Sequence, residues 1–119
     1  MKKSVVIVSG PGIASDEELF LRLNKMANVM KIHDNKRICA ILEEKKVDLI
    51  LFEPANDVPA DIEMVRQIKG LDHTVKIVLI DDRQNLKMTA RAFYYGVQDA
   101  FRKPYKIDLI VERVNTLLQ

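Results

Sequence analysis

The sequence predicts a three-layer α/β fold: one domain of five strand–helix units wound around a parallel sheet. Three observations lead there. Val47–Phe52 is an almost unbroken apolar run that stops abruptly at Glu53-Pro54, as a strand buried on both faces does. Strand-type runs alternate with segments of helical period along the whole chain. The connections between successive strands have the length that right-handed parallel crossovers need. At 119 residues, the chain suits a single domain with its own core.

Val5–Val8 is β-branched and reads as the first buried strand. It runs into Ser9-Gly10-Pro11-Gly12, a loop without the spacing of a phosphate-binding or dinucleotide fingerprint. Ser15 and Glu18 form a capping box. The helix it starts carries Leu19, Leu23, Met26 and Ala27 as its apolar stripe, with Phe20 beside it. Val29–Ile32 alternates like an edge strand, with Lys31 and His33 expected to face outward. Asp34 or Asn35 can cap a second helix running to about Lys45, its stripe formed by Ile38, Ile41 and Leu42 beside Cys39 and Ala40.

The central strand follows and ends at Glu53. The third helix is expected over about Asp61–Lys69, with Ile62, Val65 and Ile68 inward and Gly70 as its C-cap. Lys76–Ile80 is the fourth strand and, like the third, ends in acid, at Asp81-Asp82; one of those two is expected to cap the next helix. That helix runs from about Gln84 to Tyr95 and stops at Gly96. Asp99–Arg102 is a short fifth strand. Lys103-Pro104-Tyr105 then leads to a last helix, about Ile107–Leu118, whose inner positions are Ile107, Ile110, Val111, Val114 and Leu118.

Bulk composition excludes several classes. Lys+Arg 19 against Asp+Glu 17 gives a net charge of only +2, with the two signs interspersed, which argues against nucleic acid. The single Cys39 allows neither an internal disulfide nor a cysteine metal cluster. A lone cysteine with no base beside it reads as a small hydrophobe. No apolar stretch approaches a membrane span, and Gly10-Pro11-Gly12 interrupts the only run that could pass for a signal peptide. A cytoplasmic protein is expected. His33 and His73 are isolated, and no enzymatic centre emerges.

In parallel α/β sheets, reactive groups collect at the carboxyl ends of the strands, where Glu53 stands. Here the chain resembles the receiver domain of bacterial two-component response regulators. The likeness rests on Val47–Glu53, on Lys103-Pro104-Tyr105 about fifty residues later, on Ala92–Arg102 as fourth helix and fifth strand, and on Lys36–Lys46 before the third strand. It covers nearly all of residues 1–119 and implies one receiver-like (CheY-like, flavodoxin-like) domain with sheet order 2-1-3-4-5.

The resemblance also implies a site that this sequence departs from. The family uses an aspartate at the end of the third strand as phosphoacceptor, two acids after the first strand to help hold Mg²⁺, a Ser/Thr after the fourth, and a lysine after the fifth. Here Glu53 stands for the phosphoacceptor, Ser9 and Gly10 for the acidic pair, and Asp81 for the hydroxyl residue. Ala100 replaces the switch aromatic. Lys103 and Pro104 persist. A carboxylate displaced by one methylene is misplaced by about 1 Å, enough to cost about two orders of magnitude in rate. Loss of the acidic pair removes much of the charge that Mg²⁺ needs. The expectation is a degenerate pocket of Ser9, Gly10, Glu53, Asp81 and Lys103, with no metal, no cofactor and no regular phosphorylation. Lys103 is expected to pair with Glu53, Asp81 or both. Such a pair reads as a leftover ion pair in preference to a constitutive mimic of the phosphorylated state, because glutamate has less charge and fewer acceptor oxygens than a phosphoryl group.

The family binds partners, or itself, through the fourth helix, fifth strand and fifth helix. In this chain Tyr94, Tyr95, Phe101, Arg102 and Tyr105 fall there, with Phe93 nearby, and tyrosine and arginine suit interface hot spots. Helical geometry cannot turn Phe93, Tyr94 and Tyr95 all inward. The reading is a phosphorylation-independent interaction module binding a protein partner or a second copy. The alternatives are a receiver still governed by phosphate or metal, and a nucleic-acid-associated regulator.

Overall fold

The aliphatic runs form five strands and the amphipathic segments between them form five helices. In chain order they are β1 (Ser4–Ser9), α1 (Glu17–Asn24), β2 (Asn28–Ile32), α2 (Arg37–Glu44), β3 (Leu49–Glu53), α3 (Val58–Leu71), β4 (Lys76–Asp81), α4 (Leu86–Tyr94), β5 (Asp99–Arg102) and α5 (Ile107–Leu117). The structure is a computed structural model and describes residues 2–9, 17–34, 36–54, 58–81 and 86–119. The strands make one five-stranded sheet in the order β2-β1-β3-β4-β5, and each neighbouring pair is parallel.

Strand alternation divides the core in two. Val6, Val8, Ile50, Phe52, Ile77 and Leu79 point to one side, where Ile38 of α2, Val65 of α3 and Met88 of α4 cover them. Val5, Ile7, Leu49, Leu51, Val78 and Ile80 point to the other, under Leu19 and Leu23 of α1 and Ile110 and Val114 of α5. This is the period of two that a doubly covered strand requires. Every residue of β3 is buried, as expected for its central place.

Several local expectations need correction. The third helix begins at Val58, not Asp61, because Pro59 fits the first turn, where its missing N–H costs nothing. It also runs through Gly70 to Leu71, so Gly70 is an interior residue and not a cap. The chain leaves the helix where the Asp72 carboxylate takes over, accepting from the Thr74 N–H at 2.9 Å and hydroxyl at 2.6 Å. Lys31 does not face outward. It follows Val29 to the α1 side, where its ammonium lies 4.5 Å from the centre of the Phe20 ring and pairs with Glu17 at 2.5 Å. Met30, like Asn28, is an exposed residue of that strand. The α2 N-cap position is held by Lys36 with no side-chain cap; Asp34 acts one step earlier, accepting from the Lys36 N–H at 2.9 Å. Asp81 lies inside β4 and not at the start of α4. Ser15, Asn35, Asp82 and Gln84 lie outside the described residues.

Gly96 ends α4 as the sequence suggests. Its φ is +110°, and the Val97 N–H reaches back to the Ala92 carbonyl at 3.1 Å, the long hydrogen bond of a Schellman turn. The Lys69 side chain crosses close above it and donates to the Val75 carbonyl at 2.6 Å. Burial lowers the pKa of this ammonium, partly opposed by Asp72.

Candidate functional site

The carboxyl ends of β1, β3 and β4 converge. Ser9 and Glu53 are register partners across β1 and β3, and Asp81 closes β4 opposite Arg102. All three are nearly inaccessible, at 1%, 6% and 6% exposure. Apolar strand interiors draw these ends into the molecule, so the last side chain of each strand is buried whatever its polarity.

Lys103 comes from beyond β5. Its backbone N–H donates to the Asp81 carbonyl at 2.9 Å, which fixes where its side chain begins. That side chain crosses to β3, and its ammonium donates to Glu53 Oε2 at 2.8 Å. Of the two acids the sequence offers as partners, Glu53 receives the charge and Asp81 receives the main chain. The contact is short and charge-assisted. The Lys103 side chain keeps 33% exposure against 8% for Glu53, so the desolvation cost falls mostly on the carboxylate. Ser9 contributes a buried hydroxyl with no hydrogen-bond partner among the described residues. Gly10 lies outside them.

The donor set does not fit Mg²⁺. That hard cation needs several oxygens at near-octahedral geometry, yet Ser9 brings a neutral hydroxyl and the Glu53 carboxylate already holds an ammonium. Among the described residues, no three His, Cys, Asp or Glu side chains come together as a metal group. Chemically, the arrangement is an ion pair sealing the sheet end.

The description of the response regulator receiver domain matches residues 10–115. The chain belongs to this family. Solved receiver structures agree with it in fold. A CheY-like receiver domain protein from Methanospirillum hungatei JF-1 superposes with a TM-score of 0.86 at 17% identity, over 99% of this chain and 94% of that one. An orphan response regulator of H. pylori gives 0.82 at 19%, over 98% and 97%. A protein described as an atypical orphan response regulator with a phosphorylation-independent regulatory mechanism gives 0.77 at 20%, over 96% and 94%. At these identities the likeness is one of fold. No curated protein matches the chain.

Receiver domains meet partners at the α4–β5–α5 side, and the aromatic residues expected there divide between several places. Phe101 and Tyr105 are half-buried against the α1–α5 core. Arg102 is exposed at the end of β5. Tyr94 is 82% exposed and stands edge-on to Tyr95, ring centres 5.0 Å apart. Tyr95 packs on the other core, with the Arg66 guanidinium of α3 5.6 Å above its ring. The two tyrosines therefore lie toward the α3 flank of α4, away from β5.

Helical geometry puts Leu86 and Phe93, about two turns apart, on the opposite flank. Both are exposed, Leu86 at 74% and Phe93 at 44%. Leu109 of α5 is exposed at 53%. It precedes by one turn Arg113, whose guanidinium bonds Asp99 of β5 at 2.9 Å, and so lies on the side of α5 that faces β5. The sequence reading missed Leu86 and Leu109 because it followed aromatic residues. The signal available was an apolar residue on the polar side of each helical stripe.

Cys39 is half-buried, its Sγ 3.8 Å from Gln67 Oε1. Burial, and then the neighbouring Glu43 carboxylate, push its pKa up, the reverse of what a nucleophilic thiol needs.

Proposed function

We propose that this receiver domain is a non-enzymatic signalling module that works without phosphorylation and binds a protein partner or a second copy through its α4–β5–α5 face. The observation carrying the reading is the 2.8 Å contact between Lys103 and Glu53. The lysine that resemblance assigns to phosphoryl oxygens is occupied by a side chain of the domain itself. Ser9 supports the same reading, since it brings no charge for Mg²⁺, and phosphoryl transfer depends almost wholly on charge stabilisation and positioning. Ala100 packs on the α2–α3–α4 core at the place of the switch aromatic and offers no ring to change rotamer. The pocket is thus a closure and the surface is the working part. Regulation without phosphorylation is described for one protein of this fold.

The test is incubation with acetyl phosphate and Mg²⁺ followed by intact-mass measurement. The mass stays unchanged. A phosphoryl adduct mapped to Glu53 would overturn the proposal.

A further inference from the structure

We propose that the amino end of the sheet holds a binding site for a small anion carrying phosphoryl groups. It lies at the opposite pole from Glu53 and Lys103 and does not depend on the interaction face proposed above.

A cavity of about 130 Å³ opens where β1, β3 and β4 begin, walled by Lys3, Lys46, Asp48, Thr74 and Lys76 and by the end of α5. A single water needs about 10–15 Å³ of such space, so a group of several heavy atoms fits. The three lysines come from the starts of three neighbouring strands. Lys3 directly precedes β1, Lys46 lies just ahead of β3, and Lys76 opens β4 beside Leu49 of β3. Parallel register therefore gathers them at one pole, as it gathers Ser9, Glu53 and Asp81 at the other. At the carboxyl end an ion pair closes the pocket. At the amino end the space stays open.

The hydrogen bonds around the cavity set the sign of its ligand. Asp48 and Asp72 face the lysines, and both are committed to the fold. Asp48 Oδ2 accepts from the Ser4 N–H at 2.8 Å. Asp72 accepts from the N–H and the hydroxyl of Thr74 and lies 3.5 Å from the Lys46 ammonium. Lys46 also donates to the Thr74 hydroxyl at 2.7 Å. Lys76 donates to the Leu117 carbonyl at the end of α5, a neutral acceptor. Neither Lys3 nor Lys76 forms an ion pair among the described residues.

An ammonium group donates and never accepts. The cavity thus presents N–H donors and positive charge that its own walls do not answer. A metal cation would be repelled by the same lysines. An apolar ligand would strip water from them and return no hydrogen bond. Phosphoryl oxygens supply both the charge and the acceptors, spread in several directions, and lysine serves phosphate as a point charge.

The experiment follows backbone amide NMR shifts of the full chain during titration with inorganic pyrophosphate, ADP and succinate at fixed ionic strength. Pyrophosphate or ADP is expected to move the amides of Ser4, Asp48, Lys76 and Leu117 along a saturable curve. The tighter of the two shows whether a free or a nucleotide-borne phosphate is the ligand. Lys3→Ala and Lys76→Ala should each weaken binding about tenfold, as loss of one charge-assisted hydrogen bond implies. Lys3 is exposed and bonds no other side chain, so its variant tests the site without disturbing α5, and thermal unfolding checks that both variants fold. Lys87→Ala, on α4, should bind as the native chain does. Gln119 lines the cavity, so binding is also measured on a chain with two glycines added after it, which carry the terminal carboxylate away; binding should persist. No saturable shift with either phosphate, shifts that survive both lysine variants, succinate binding as tightly as pyrophosphate, or loss of binding in the lengthened chain overturns the proposal.

Discussion

Removing Lys103 and removing Glu53 should have unequal costs, and the inequality follows from their burial. Lys103→Met leaves the carboxylate of Glu53, 8% exposed, without its cation. Breaking a fully buried pair by deleting one partner costs about 3–5 kcal/mol. Since Lys103 is one-third exposed and its contact is partly screened by solvent, about 2–3 kcal/mol is the appropriate figure here. Glu53→Gln removes the charge but keeps the shape and an acceptor, and the freed ammonium can turn to water. That change should cost about 1 kcal/mol, the ordinary worth of one hydrogen bond. The double variant should be more stable than Lys103→Met alone, because no orphaned charge remains. Urea unfolding with a common m-value measures all three. A domain of this size should lose about 10 °C in Tm for Lys103→Met and less than half of that for Glu53→Gln. Equal losses, or a double variant no better than Lys103→Met, would refute the account of Glu53 as the buried, dependent partner.

Two further outcomes follow from local geometry. Gly96→Ala should destabilise by about 1–2 kcal/mol, since φ is +110° and the added Cβ would come within 2.9 Å of Lys69 Cε. Gly70→Ala, in the interior of α3 with nothing within 4 Å of the new Cβ, should stabilise by about 0.5–1 kcal/mol; thermal melts showing the same sign for both would contradict these backbone assignments. Cys39 should alkylate with iodoacetamide more slowly than an unstructured cysteine peptide at neutral pH, because its raised pKa leaves less thiolate. The rate should keep climbing with pH beyond the point where the peptide's levels off, and a rate equal to the peptide's would contradict the burial described for the thiol.

The fold was legible because its strands are nearly pure aliphatic runs and the sheet divides them by strict alternation. Val47–Phe52 could hardly be anything but a strand covered on both faces. Legibility failed where one residue's preference competed with its surroundings. Gly70 has the composition of a cap, but helical hydrogen bonding continues past it. Lys31 carries the charge of an outward residue, but its long stem covers Phe20 while its ammonium reaches Glu17. At the pocket, the residue types at strand ends were visible in the sequence. The choice of Glu53 over Asp81 by Lys103 was not, because it depends on how the backbone is held at the Asp81 carbonyl. On the α4–β5–α5 side, residue type alone did not give the placement: Tyr95 is drawn toward α3 by the core and by Arg66, while two leucines stand exposed nearer to β5.

The crowding of aromatic side chains beyond α3 has a spectroscopic consequence. The chain contains no tryptophan, and its three tyrosines all lie between positions 94 and 105. Each has a different setting: Tyr94 in solvent, Tyr95 beneath a guanidinium, Tyr105 half-buried against α5. Ultraviolet emission from the unlabelled protein therefore originates from one end of the molecule, beside the face where binding is proposed. The domain carries its own optical reporter there, while events at the opposite edge, around β2, leave it dark.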